Sequence, residues 1–245
     1  MDQDAGPAAW QGWAAPPARG RAWIDLSHRL SAAVPRVATF PAPGFSKLLS
    51  LPQDPLSVTE IRMVAHVGTH LDAPAHFIPG GPAIDQIPLD RLHGQGVVWH
   101  VGREAGETIG PEDLDAASPP ARPGDMVLLD TGWSRHAGTA AYDDHPWLSA
   151  AAATWLVGRR ASLVGLDLPT PDLPVPRRPA QGFGWPVHKI LLSRGVLIAE
   201  HLTGLPPLAG QRVEIIIGAL SIEGADGAPA RVLARPLPEN PEATP

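Results

Sequence analysis

The sequence predicts one mixed α/β domain of strands, short helices and long proline-rich loops. Three observations carry that reading. Short apolar or β-branched runs recur along the chain, bounded by turn residues. One Ala-rich segment with helical spacing, Pro146–Arg160, lies between two such runs and gives strand–helix–strand order. And 30 prolines with 25 glycines in 245 residues require many turns and irregular loops. A chain of this length buries enough core to fold without disulfides or a structural metal. No internal repeat or linker divides it.

Taken in order, Met1–Arg21 is rich in Ala, Gly and Pro and lacks the basic start and sustained apolar run of a signal peptide. Residues 1–21 are expected to be a poorly ordered leader, 22–238 the domain and 239–245 a flexible tail, with a cytoplasmic location. Trp10 and Trp13 in the leader leave open docking against a neighbouring subunit. Ala22–Leu26 reads as a first strand, followed by Ser27-His28. Ala32–Pro55 is proline-rich without helical period and reads as an extended loop that walls a pocket. Ser57–Ala65 reads as a strand leading into a histidine-rich segment, and Gly94–Val101 as another. Pro111–Ala117 has proline at a first helical position and acidic residues in its opening turn, both helix-start signals. Asp125–Asp130 is a buried strand. Pro146–Arg160 is the clearest helix, with Trp147, Leu148, Ala151, Trp155 and Leu156 near helical spacing; its apolar stretch is too short to span a bilayer. Ser162–Asp167 is a strand and Pro169–Pro186 a second proline-rich loop. Val187–Arg194 suits a short helix stopped by Gly195, and Val196–Glu200, Arg212–Leu220 and Arg231–Leu237 complete the sheet.

Composition removes several function classes. There is no cysteine, which excludes thiolate metal sites, thiol nucleophiles and disulfide scaffolds. A net charge of −6 without a basic run argues against nucleic acid as a partner. No Gly-x-Ser-x-Gly elbow, Walker loop or dinucleotide-binding glycine pattern is present.

What remains is concentrated in Ala65–Gly81. His66, His70, Asp72 and His76 crowd this stretch, and imidazole with carboxylate suits Zn or Mn. The four share even parity, so an extended backbone points them to one face. Gly68 and Pro74 oppose a helix, which separates the segment from a helical His-Glu-x-x-His site, and Gly68 permits a bend that brings the ligands together. Ordinary hydrogen-bonded histidines are the bland alternative; the density of ligand types argues against it.

The run His66-Val67-Gly68-Thr69-His70-Leu71-Asp72-Ala73-Pro74-Ala75-His76 resembles the signature of the cyclase-like metal-dependent hydrolases, a family that includes bacterial kynurenine formamidase and isatin hydrolase. The resemblance extends from Asp25-Leu26-Ser27-His28 through Thr131-Gly132-Trp133 and Gly165-Leu166-Asp167 to Ile222-Glu223-Gly224-Ala225-Asp226-Gly227-Ala228-Pro229-Ala230-Arg231. It implies a single domain of the swivelling β/β/α type. It also implies one ion held by His66, His70 and Asp72 and a second held by Asp72, His188 and Glu200, Asp72 bridging; some members use a single metal, commonly manganese. His188 and Glu200 are unremarkable in the sequence itself, and only the resemblance lifts them.

The implied reaction is hydrolysis of a non-peptide amide, an aryl formamide or a cyclic amide, by metal-activated water, with His76 carrying the proton. Phe77, Trp133, Phe183 and Trp185 stand beside motif segments and suggest an aromatic or cyclic small-molecule substrate. The resemblance further implies a homodimer or homotetramer. Three departures bear on the substrate. Val34–Pro41 lacks the Pro-Trp-Pro-Gly-Asp-like stretch of kynurenine formamidases, His201 stands where an asparagine is more usual, and Leu168–Asp172 lacks a serine found in many members. A metal-dependent cyclase, dehydratase or lactone hydrolase, and a non-catalytic metal- or ligand-binding protein, are the competing readings.

Overall fold

The computed structural model describes residues 22–238; the expectations for the leader, with Trp10 and Trp13, and for the tail at 239–245 lie outside the described residues. In chain order the elements are β1 (Ile24–Asp25), β2 (Gly44–Leu49), β3 (Val58–Arg62), β4 (His70–Asp72), β5 (His93–His100), β6 (Thr108–Ile109), α1 (Pro111–Asp115), β7 (Met126–Asp130), β8 (Trp147–Leu148), α2 (Ala150–Gly158), β9 (Leu163–Leu166), α3 (Pro186–Leu192), β10 (Leu197–Glu200), β11 (Gln211–Ala219) and β12 (Gly227–Pro236). Strands run β12-β11-β5-β7-β9-β10-β4, and β4 pairs back onto β12, so the sheet closes into a barrel with β1 added outside β12. This is the mixed α/β single domain that the sequence predicts. No helix among the described residues is long and apolar enough to cross a membrane.

Alternation along the strands builds two cores. Val98, Met126, Leu128, Leu163, Leu197, Ala199 and Ile215 form the barrel interior. Their neighbours Val97, Trp99, Val127, Leu129, Val164, Leu166 and Ile198 face outward and pack with Ala152 and Leu156 of α2 and Val187 and Leu191 of α3. The strands β7, β9 and β10 are therefore buried on both faces, which is why they read as continuous apolar runs without alternation.

Three boundaries differ from expectation. Ala32–Pro55 is not a loop throughout: β2 lies inside it and pairs antiparallel with β3, so the strand expected before the histidine segment belongs to this hairpin and not to the barrel. The hairpin is exposed along nearly its whole length, so no apolar alternation marked β2. The helix expected from Pro146 begins after Ser149, whose Oγ accepts from the Ala152 amide at 3.0 Å; such a cap contributes about 1 kcal/mol. Trp147 and Leu148 form β8 instead and pair with β6. The last strand starts at Gly227, earlier than the expected Arg231.

Candidate metal centre

The strand that closes the barrel carries two of the candidate ligands, His70 and Asp72. β4 lies between β10 and β12, with His70 opposite Glu200 and Asp72 opposite Gly227. Leu71 points into the barrel core, so His70 and Asp72 point outward, and register alone brings Glu200 onto the same face. His66 reaches this face by a different route. Gly68 sits at φ +60°, where a Cβ would collide with Val34 at 2.6 Å, and the chain turns there. The even-parity expectation therefore holds for His70 and Asp72 on a strand, while His66 arrives through a bend and His76 on a short 3-10 turn over Pro74–His76. Gly227 leaves room for the His66 ring: a Cβ there would lie 2.7 Å from its Cε1.

His188 comes from the first turn of α3. Asp172 fixes it, accepting from the Val187 and His188 amides at 3.0 Å each and from His188 Nδ1 at 2.6 Å. His70 Nδ1 donates to the Gly68 carbonyl at 2.7 Å. Both tautomers are thereby set, because a carbonyl and a carboxylate accept. The Nε2 of each ring then carries a lone pair. That of His70 lies 3.3 Å from Asp72 Oδ1 and 3.3 Å from Glu200 Oε2; that of His188 lies 3.2 Å from Glu200 Oε1 and 3.5 Å from Asp72 Oδ2.

Lone pairs facing lone pairs in a buried site require a cation among them. His70 Nε2 and Asp72 Oδ2 are buried without a hydrogen-bond partner. A proton is one answer: burial opposes it, yet Asp72 and Glu200 push the His70 pKa up to about 10. In the same way burial works against the carboxylate form of Glu200, and its histidine neighbours still hold it down at about 2. A divalent metal is the other answer, and neutral imidazoles with carboxylates are the donors it takes. Donor atoms converge within 4.8 Å in three groups: His66, Asp72 and His76; His70, Glu200 and His201; Asp72, His188 and Glu200. The last is the second set that the resemblance implies. The first implied set is divided, His66 grouping with His76 and His70 with Glu200.

His76 differs from the buried candidate ligands. Its ring stacks on His66 at 3.9 Å between centroids, and its Nδ1 lies 3.1 Å from Asp226 Oδ2. Asp226 also approaches His66 Nε2 at 3.0 Å, at an angle that makes no hydrogen bond. Burial, the largest influence, lowers the His76 pKa, so the ring is neutral at neutral pH.

A cavity of about 320 Å³ opens onto this centre, with His66, His76, His188 and Glu200 in its lining beside Val37, Phe40, Val175, Arg178 and Trp185. Val37 and Phe40 belong to the early loop expected to wall a pocket. Of the four aromatic residues expected at the substrate, Trp185 lines the cavity. Phe77 stacks behind, against His188 and Trp185. Phe183 leans on Trp185 from outside the cavity lining. Trp133 lies in the outer core, 2% exposed, its indole N–H donated to the Tyr142 carbonyl; that bond and its burial turn it away from any ligand.

Sequence reasoning noted His201 only as a departure from the family pattern and did not single out Asp172, Asp226 or Tyr142. Asp226 lies inside the C-terminal landmark at 222–231, its only signal in the sequence. His201 is buried at φ +53°, its Nδ1 2.9 Å from the Tyr142 hydroxyl, and burial pushes its pKa down to about 3.

The Cyclase family model, described as "Putative cyclase", matches residues 24–173. A kynurenine formamidase of Bordetella petrii is 33% identical over 219 residues, covering 89% of this chain and 99% of that protein. A kynurenine formamidase of Bacillus cereus is 30% identical over 88% of this chain and 98% of its own length. Among solved structures, one described as a "Potential Metal-Dependent Hydrolase With Cyclase Activity" superposes with a TM-score of 0.73 at 27% identity, covering 90% of this chain and 100% of that one. Isatin hydrolase A from Labrenzia aggregata shares the fold, with a TM-score of 0.77 at 24% identity over 87% of this chain and 93% of its own. On a buried imidazole–carboxylate centre, a closed barrel and a family match over most of its length, the chain belongs to the cyclase family of metal-dependent hydrolases.

Proposed function

We propose that this enzyme hydrolyses a non-peptide amide, an aryl formamide or a cyclic amide, with one or two Zn or Mn ions held by His66, His70, Asp72, His188 and Glu200. The observation that carries the reading is the buried cluster of imidazole and carboxylate donors, with His70 Nε2 and Asp72 Oδ2 left without a hydrogen-bond partner, which a divalent ion would satisfy together. When bound, such an ion polarises a carbonyl and lowers the pKa of a coordinated water towards about 7. The protein's own residues do the rest. Asp72 stands between the two halves of the donor set, 2.8 Å from His66 and 3.5 Å from His188, which suits it to bridge. His76 is the proton carrier: Asp226 holds its Nδ1, leaving Nε2 to accept a proton from water and return it to the leaving nitrogen. Trp185, Val37 and Phe40 offer the apolar walls that a flat ring needs.

Residues 22–238 act as one catalytic domain in this reading, in the cytoplasm. Assembly as a homodimer or homotetramer is supported by Phe45, Leu48 and Ile61, apolar side chains exposed on the β2–β3 hairpin. Lactone hydrolysis or cyclisation would use the same donors. The test is turnover of N-formylkynurenine, isatin and simple lactones before and after chelation. Amide hydrolysis that is lost with EDTA and restored by Zn or Mn is expected. Chelator-insensitive turnover, or turnover of lactones alone, would overturn the proposal.

A further inference from the structure

A buried histidine beside the metal centre carries the same marks as the candidate ligands but stands outside the set named above. His201 is fully buried. Its Nδ1 lies 2.9 Å from the Tyr142 hydroxyl, and its Nε2 is buried without a hydrogen-bond partner. His70 and His188 show the same pattern: Nδ1 is engaged by the Gly68 carbonyl or by Asp172, and Nε2 faces carboxylates. A ring nitrogen of His201 lies within 4.8 Å of donor atoms of both His70 and Glu200. His28 provides the contrast. Its Nε2 is also buried and unpartnered, but among the described residues it joins no group of converging donors.

The backbone adopts an uncommon conformation to put the His201 ring there. The residue directly follows the end of β10 at φ +53°, a left-handed conformation that histidine accepts more readily than most side chains and that recurs at functional sites. Both of its peptide groups are fixed. Its N–H donates to the Leu168 carbonyl at 2.9 Å, and its carbonyl accepts from Thr69 Oγ1 at 2.6 Å. Thr69 precedes His70, so this bond ties the start of β4 to the turn after β10. Neither His70 nor His201 lines the cavity, whereas Glu200 does, so the two imidazoles would hold an ion from its buried side. Two imidazoles with one carboxylate form a donor set that zinc takes, and an added imidazole favours Zn over Mn.

We propose that His201 is a metal ligand of this centre, forming with His70 and Glu200 a three-donor position that prefers Zn to Mn. The inference rests on the reading of the centre as a metal site, and its test separates the two. Full-length protein with isotope-labelled histidine nitrogens is loaded with a spin-active cadmium isotope as a surrogate for zinc. Nitrogen–cadmium coupling is expected at His201 Nε2, assigned through bonds to its own backbone; the coupling is read in the wild type, so no variant has to fold. Zn and Mn affinities are then measured by competition with a chelator. His201→Asn removes the imidazole with a residue that also accepts the left-handed backbone. Its Zn affinity should fall by more than about 100-fold, beyond the range for loss of an orienting partner, and its Mn affinity by less. Tyr142→Phe, which removes only the partner of Nδ1, should lower Zn affinity by about 10- to 100-fold. A cadmium-loaded wild type without coupling at His201, or equal losses of Zn and Mn affinity in His201→Asn, would overturn the proposal and leave the other donors standing. A wild type that takes up neither Zn nor Cd would overturn it together with the metal-site reading.

Discussion

The candidate site has two halves that are built differently. The inner half, His70, Asp72, His188 and Glu200, is at most 5% exposed and stands on barrel strands or the first turn of a helix. Each of its histidines has Nδ1 committed to a protein acceptor. The outer half is wetter and borne on turns: the His76 side chain is 22% exposed and that of Asp226 is 49% exposed. Holding an ion requires rigid donors in a dry setting, since desolvation strengthens the attraction and the strands fix distances. Moving a proton and admitting substrate require a ring that water and ligand can reach. The proposed division of labour follows from where the backbone is regular and where it bends.

Two substitutions sharpen that contrast. His76→Ala, on the outer half, should lower kcat by about 10²–10⁴-fold and leave bound metal unchanged. In the wild type the acid limb of kcat/KM should lie below the ordinary imidazole range. Burial, foremost, lowers the His76 pKa, so the ring stays unprotonated and able to accept a proton as pH falls past 6.5, and activity is lost only on reaching the lowered value. The limb should vanish in the variant. Full activity in His76→Ala would erase the distinction between the halves. Asp172→Asn, which touches the inner half only through His188, should weaken metal binding by about 10- to 100-fold, read by titration with a competing chelator. An effect on kcat with no change in affinity would move Asp172 out of the inner half.

Much of this was legible in the residues. The density of histidines at 66–76 pointed to the centre, and alternation correctly placed His70 and Asp72 on one face. Glu200 and His188 were not visible that way, because register between β4 and β10 and the docking of α3 bring them in from more than a hundred residues away. Asp172 and Asp226 were missed for a related reason: a carboxylate on a loop carries no period, and its role appears only once the imidazole it holds is in place. In the fold, the double burial of β7, β9 and β10 made them easy to find, whereas the exposed β2 offered no apolar pattern. Trp133 shows the converse error, since a tryptophan beside a motif is as readily core as it is ligand contact.

The central claim is that the inner half holds a metal ion, and bound metal per chain tests it most directly. Protein purified without chelator and analysed for metals should carry at least one equivalent of Zn or Mn, and Asp72→Asn, folded to the same extent by circular dichroism, should carry none. A wild type that takes up neither ion even after incubation with both, or an Asp72→Asn variant that binds as much as the wild type, would contradict the account.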